Sequence, residues 1–203
     1  MHPAIGVVAG YILGSIPFAY LAGRITRGID LREHGSGNLG ATNVYRTLGW
    51  KVAVVVFLLD VLKGAAPVLL ELRFGAGDHL NWWAIAAGVA AIAGHAKPVF
   101  LLWRGGGKGV ATATGVFLAL APLPTLVAVA TWTAVVAVTG YVSLGSLLAA
   151  VALPIAIAIL LGIHATIFPV AIAIALFVFW SHRANIGRLR RGEEHRFGRK
   201  ASA

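Results

Sequence analysis

Cysteine is missing from all 203 residues. That rules out a disulfide framework, thiolate catalysis and zinc–thiolate sites, and it leaves the redox compartment unreadable. Charge is scarce as well: Asp, Glu, Lys and Arg make up 12% of the chain, where a soluble domain carries roughly twice that share. Acids are the scarcest, 7 against 17 Lys and Arg, and they form no cluster of the kind a metal-dependent transferase needs. No Gly-x-Ser-x-Gly elbow and no triad order occurs. The chain shows no internal repeat and no polar stretch long enough for a soluble domain. What it has in quantity is apolar side chains, 59% of residues, with a mean hydropathy of +0.84. This composition is that of an all-α, polytopic membrane bundle.

The net charge of +10 does not point to nucleic acid, because its placement is that of membrane topology and anionic headgroups. Apart from Lys63 and Arg73, the basic residues fall in three groups. These are a first loop (Arg24 to Lys51), a glycine-rich island (Lys97, Arg104, Lys108) and the tail after Ser181. Pro3 to Ala22 reads as a retained first span rather than a signal peptide, since no basic segment precedes it. It contains Ser15 and Pro17, which a membrane helix tolerates when a neighbour re-satisfies the backbone. Thr26 to Trp50 reads as a polar loop, Val52 to Leu72 as a second span and Arg73 to Leu80 as a short loop. Trp82 to Gly94 reads as a short span, Tyr141 to Ser146 as a polar break, and Leu147–Leu161 and Ala165–Trp180 as two last spans.

Gly109 to Thr139 is either one kinked helix or two short ones meeting at Pro122-Leu123-Pro124. Two helices make about seven spans and place all three basic groups on one side, which the positive-inside tendency favours. The N-terminus is then outside and the tail cytoplasmic. The first loop, the island, the Tyr141–Ser146 break and the tail's first turns then all face the cytoplasm, where they can converge. The cost is spans near 15 residues, which reach only about 22 Å of a roughly 30 Å core.

The most informative stretch is His34 to Arg46. Gly35, Gly37 and Gly40 uncover backbone N–H groups that suit an anion, and Ser36, Asn38, Thr42 and Asn43 add side-chain donors. Thr42 and Arg46 share a face if the segment is helical, and the arginine fork suits phosphate. The pattern is a phosphate cradle at a membrane surface or, more simply, a solvated glycine-rich linker. Gly105-Gly106-Gly107-Lys108-Gly109 reads as a second anion turn leading into a helix N-terminus. It is not a nucleotide P-loop, because Leu102 stands where the first glycine belongs and Gly109 replaces Ser/Thr. Asp60 and Lys63 lie inside a span at i,i+3 and can neutralise each other. His95 has no carboxylate cluster beside it, so a hydrogen-bonding role is expected and no metal. If the last span continues as helix, His182, Asn185 and Arg188 follow one face. Glu193 and Glu194 read as surface charges among arginines. Such a set, rich in cations and uncharged donors, suits two anionic groups beside the lipid phase.

Taken in order, these motifs resemble the PlsY-type family of bacterial membrane acyltransferases over essentially the whole chain. They run from Gly14-Ser15-Ile16-Pro17 through Gly35 to Arg46 and Leu59 to Gly64. They continue through Gly94-His95, Pro98-Val99-Phe100, Gly106 to Thr112 and Tyr141 to Ser146. The last are His182-Arg183, Asn185-Ile186, Arg188-Leu189, Gly192 and Glu193. Two departures stand out: three glycines before Lys108 instead of the usual two, and Lys97 where the family has a bulky residue.

The resemblance implies transfer of an acyl group from acyl-phosphate to the 1-hydroxyl of sn-glycerol 3-phosphate, without acyl-CoA or carrier protein and without a cofactor. Consistent with this, no His-x-x-x-x-Asp pattern occurs. The implied catalytic residues are Ser36, Lys108, His182 and Asn185. Gly37, Asn38, Thr42, Asn43, Arg46, Gly106, Gly107, Ser143 and Arg188 are implied to bind substrate, and Asp60, Lys63, His95 and Glu193 to give support. Ser36, Gly37, Asn38 and Ser143 would hold the acyl-phosphate head or the oxyanion. Thr42, Arg46, Lys108, His182 and Asn185 would hold glycerol 3-phosphate. The proton acceptor is His182 or a substrate phosphate. The implied setting is a monomer in the bacterial inner membrane, its substrates and the lipid bilayer its only partners. A transporter of organic phosphates is the alternative of another class.

Overall fold

A computed structural model of the chain describes residues 2–75 and 80–197, all helix, turn or loop, with no strand among them. It divides into two compact units, through Leu120 and from Ala121 onward.

In the first unit, α1 (Pro3–Gly14) opens with the His2 ring accepting the Ala4 N–H and Pro3 in the first turn. It does not run on to Ala22 as the sequence suggests. The chain breaks over 15–17, where Pro17 supplies no N–H, and resumes as α2 (Phe18–Arg27), ended by left-handed Gly28. A third helix, α3 (Ala41–Leu48), lies inside what the sequence suggests is loop. α4 (Trp50–Phe74) is the long central helix, followed by α5 (Leu80–Ala96), a single 3₁₀ turn (Val99–Leu101) and the short α6 (Val110–Leu120). Residues 76–79 of the expected Arg73–Leu80 loop lie outside the described residues.

α1 packs on α5, and α4 packs on α1, α5 and α6. The closest crossings are made by glycine. A Cβ on Gly10 or Gly14 would run into the Ala87 or Ala91 backbone, and one on Gly64 or Gly115 into Thr112 or Val61. Backbones this close pack without an aqueous hydrophobic effect, as they must in lipid.

The second unit is α7 (Pro122–Thr139), α8 (Val142–Leu160), α9 (Ile167–Ser181) and α10 (Arg183–Arg191), with α8 packed on both α7 and α9. Gly109 to Thr139 is thus two helices, broken at Ala121, whose backbone is non-helical (φ −148°, ψ 70°) ahead of Pro122, which disfavours the helical region for the residue before it. The expected polar break at 141–146 shrinks to Gly140-Tyr141, and Ser143 and Ser146 belong to the first turns of α8. α9 and α10 meet at His182 with a bend of 58°.

Five helical segments among the described residues are long and apolar enough to cross a membrane, with α1–α2 taken as one, and six if the bent α9–α10 pair counts. Their outward residues are apolar; Val138, Ile159 and Leu176 are 86%, 76% and 66% exposed. Hydroxyls inside these helices bond the preceding turn, as Thr114, Thr131 and Thr133 do to the carbonyls four residues back. Each of these hydroxyls is thereby satisfied where no water is available. The membrane reading therefore stands on surface chemistry as well as on composition.

Candidate active site

The first loop is shaped by one buried side chain. Asn43 is 2% exposed. Its Oδ1 accepts the Ser36 N–H at 2.8 Å, and its Nδ2 donates to the carbonyls of Leu31 (3.2 Å) and His34 (3.0 Å). Sequence reasoning made Asn43 a direct substrate ligand, but its amide is spent on the loop backbone. Gly35 (φ +62°) is the position that permits this, because a Cβ there would strike the Asn43 carboxamide. Gly37 is also left-handed, whereas Gly40 is extended and serves as the N-cap of α3. The result presents exposed Ser36 and half-buried Gly37, Asn38 and Thr42, with exposed Arg46 one helical turn beyond.

This loop rests on the glycine-rich island. Asn38 Nδ2 and the Leu39 N–H both donate to the Gly106 carbonyl, each at 3.2 Å. The island in turn lies on the end of α5, where the Gly107 N–H donates to the His95 carbonyl at 3.1 Å. A Cβ on Gly106 would meet the Ala96 carbonyl, and one on Gly107 the His95 ring. Lys108 follows, two residues before α6, with left-handed Gly109 between. The first two islands thus meet through the Gly106 carbonyl, and each carries a cationic residue in its sequence, Arg46 in α3 and Lys108 ahead of α6.

Beneath them lie Asp60, Lys63 and His95, all buried. Lys63 Nζ sits 2.8 Å from Asp60 Oδ1 and donates to the Ile16 carbonyl at 2.8 Å, in the α1–α2 break. The His95 Nδ1 is 3.7 Å from the same carboxylate oxygen. Lys63 and His95 line a small cavity with Gly14 to Phe18, Leu39, Pro98 and Gly106. The break before Pro17 thereby gives the Ile16 carbonyl a cationic partner, which a straight helix would not expose.

In the second unit the other two islands meet around Glu194, which the sequence reads as a surface charge and the structure buries. Glu194, 7% exposed, accepts hydrogen bonds on Oε1 from Ser143 Oγ (2.9 Å) and Asn185 Nδ2 (2.6 Å), and on Oε2 from Arg188 Nε (2.7 Å). Burial pushes its carboxyl upward, but the bonds from Asn185, Arg188 and Ser143 outweigh that and hold it below the usual glutamate value. Glu193, the expected support, instead points outward and pairs with Arg191 on the surface. The only sequence signal for Glu194 was an acid beside arginines, which also describes Glu193. Two further bonds hold the strand of tail against the start of α8: Phe197 N–H to the Gly140 carbonyl, and Arg196 Nε to Tyr141 Oη.

His182 is 3% exposed at the α9–α10 bend. Its Nδ1 lies 2.8 Å from the Val178 carbonyl, which can only accept. Nδ1 therefore carries the proton of the neutral ring, and Nε2 carries the lone pair.

The first unit thus carries two glycine-rich loops that meet, the second an oriented imidazole and a Ser–Asn–Arg–Glu network, and both are built on apolar, membrane-type helices. Comparison with known proteins narrows this. The family model described as glycerol-3-phosphate acyltransferase matches residues 4–192. Proteins of that name are 48% identical over 96% of this chain and 94% of the relative in a Synechococcus species (strain CC9902), and 46% identical over 97% and 98% in Geobacter sulfurreducens. The solved structure of PlsY (YgiH), an integral membrane glycerol 3-phosphate acyltransferase, in its glycerol 3-phosphate form superposes with a TM-score of 0.88. It is 41% identical, over 97% of this chain and 96% of that one. Its lysophosphatidic acid form gives 0.85 at 40% identity. The chain belongs to the glycerol-3-phosphate acyltransferase family.

Proposed function

We propose that the protein acylates the 1-hydroxyl of sn-glycerol 3-phosphate with acyl-phosphate as donor, releasing lysophosphatidic acid and inorganic phosphate. The observation that carries this reading is the docking of the Ser36–Asn38 loop on the Gly105–Lys108 island, a preorganised donor surface for phosphate in a chain of this family. Acyl-phosphate is already activated, so positioning and charge stabilisation can supply most of the rate.

In the reaction the 1-hydroxyl oxygen attacks the acyl carbonyl, its proton passes to a base, and the C–O bond to phosphate breaks with the electron pair leaving on phosphate. His182 Nε2 is the side chain suited to take the proton. Ser36 and Asn38 are assigned to the acyl-phosphate head and the developing oxyanion, while Gly37, whose N–H donates to the His34 carbonyl, and Ser143, whose hydroxyl donates to Glu194, shape their own segments. Thr42, Arg46, Lys108 and Asn185 are assigned to glycerol 3-phosphate, with Gly106 and Arg188 as further donors, while Gly107, its N–H spent on the His95 carbonyl, holds the turn in place. Asn43 and Glu194 orient these donors, and Asp60, Lys63 and His95 support the island from below.

The finer topology belongs to the same reading. The six candidate crossings and the short α6 make seven, with the N-terminus outside, the tail cytoplasmic and the chemistry at the cytoplasmic face of a bacterial inner membrane. α6 rises only about 16 Å, so it crosses with help from flanking residues or local thinning. The working unit is a monomer.

Purified protein given acyl-phosphate and glycerol 3-phosphate should release phosphate only when both are present, and Lys108→Ala should lose that release. Acylation from acyl-CoA but not acyl-phosphate would overturn the donor assignment. Movement of glycerol 3-phosphate across vesicles without acylation would replace the enzyme by a transporter.

A further inference from the structure

Arg32 was given no role by its sequence context, yet its charged head reaches the island's backbone. Its guanidinium is locked at one end. Nε lies 3.0 Å from Asp30 Oδ1, Nη2 2.6 Å from Oδ2, and the Arg32 N–H 3.0 Å from Oδ1. Asp30 is buried and tied also to Arg24 at 3.5 Å. The fork from Arg32 holds the Asp30 carboxyl well below the usual aspartate range, at about 2, so it is ionised at neutral pH. The Tyr20 ring lies under the same guanidinium at 5.3 Å. The remaining arm, Nη1, donates to the Arg104 carbonyl at 3.3 Å, 72 residues away. The arginine stem lies along the next residue: a Cβ on Gly105 (φ +85°) would stand 2.8 Å from Arg32 Cδ.

From this geometry we infer that Asp30–Arg32 is a latch that sets the height of the Gly105–Lys108 turn against the Ser36–Asn38 loop, making Arg32 a positioning residue for Lys108. Only a planar fork does this, since it must bind a carboxylate with two nitrogens and a carbonyl with a third. A lysine satisfies one partner at a time. The extra glycine ahead of Lys108 takes its place in the latch: Gly105 is the position where the turn passes the arginine stem, and no side chain fits there. The inference rests on the proposed acyltransferase reading for its kinetic consequence, but not for its structural one.

The test uses the full chain in bilayer nanodiscs and compares wild type with Arg32→Ala, Arg32→Lys and Gly105→Ala. Amide hydrogen exchange over residues 104–109, measured without substrate, should speed up at least tenfold in all three variants and little elsewhere. With both substrates, KM for glycerol 3-phosphate should rise at least tenfold. Millimolar guanidinium should recover much of that loss in Arg32→Ala, and recover none in Gly105→Ala. Unchanged exchange over 104–109 in Arg32→Ala would overturn the latch. So would wild-type behaviour of Arg32→Lys, which would leave only a point charge, or acceleration spread over the whole chain, which would make Arg32 a folding residue. If wild type itself is inactive, the functional reading fails, while the exchange result still decides whether the latch exists.

Discussion

Glu194→Gln separates two adjacent acids that look alike in sequence. The amide is nearly isosteric, so packing is kept and only charge and acceptor count change. If the Gln oxygen takes the place of Oε1, the bonds from Ser143 and Asn185 survive, and the new NH₂ faces the Arg188 Nε–H, donor against donor. If it flips, two bonds are lost instead of one. The milder case forfeits one charge-assisted bond and leaves a half-buried guanidinium facing an amide, about 2–4 kcal/mol together. For a chain of this size that is a fall of roughly 5–10 °C in unfolding temperature. Activity should fall with it, because Asn185 and Arg188 lose their common anchor.

Glu193→Gln is the matched control. Its pair with Arg191 is exposed on both sides, so neither melting nor activity should move. The pH dependence has a definite sign. The Glu194 carboxyl is lower in the folded state than unfolded. Its contribution is therefore complete above the ordinary glutamate range and is lost as pH falls through the lowered folded value. Wild type should destabilise along that acid limb, and Glu194→Gln should be flatter there. Thermal unfolding in detergent, followed by tryptophan fluorescence at several pH values, reads all of this. Equal melting of the two variants, or an acid limb unchanged in Glu194→Gln, would refute the reasoning.

Other outcomes follow from the first unit. Asn43→Ala removes the acceptor of the Ser36 N–H and the donor to two carbonyls, so phosphate release should drop at least tenfold. Asn43→Asp should do no better, because it keeps the acceptor but sets a carboxylate against the Leu31 and His34 carbonyls. Gly107→Ala should cost about 1–3 kcal/mol by overpacking on the His95 ring, read as a lower melting temperature; His95→Ala in the same chain should relieve part of it. Asp30→Asn should remove a stabilising contribution that wild type holds above the ordinary aspartate range and loses as pH falls toward about 2. The two proteins should therefore converge in acid, as denaturation at stepped pH would show.

Much of the membrane architecture is legible in the residues because lipid imposes a one-dimensional rule: a span must be apolar along its length and close its own hydrogen bonds. That rule locates α4, α5 and α9 to within a few residues, and α8 apart from its first turn. It misses the break in the first span, since Ser15 and Pro17 are compatible with a kinked helix as well as a broken one. What decides between them is the Lys63 ammonium waiting for the Ile16 carbonyl. It also misses α3, whose apolar side is only Val44 and Leu48 with parts of Tyr45, too few for a periodicity signal. The polar motifs were legible as donors, yet their division of labour was not. Ser36 and Asn43 are seven residues apart in sequence and indistinguishable by type, but one faces outward and the other is spent on the loop.

By itself the sequence determined a cysteine-free, acid-poor, all-helical membrane chain with glycine-built anion motifs in a fixed order, because composition and short-range spacing are properties of the chain alone. Tertiary structure decided which of two neighbouring glutamates is buried, which asparagine builds and which presents, and that Arg32 spans from Asp30 to Arg104. Those choices depend on distances between residues remote along the chain, and only packing brings such residues to within the roughly 3 Å at which hydrogen bonds and buried charges act.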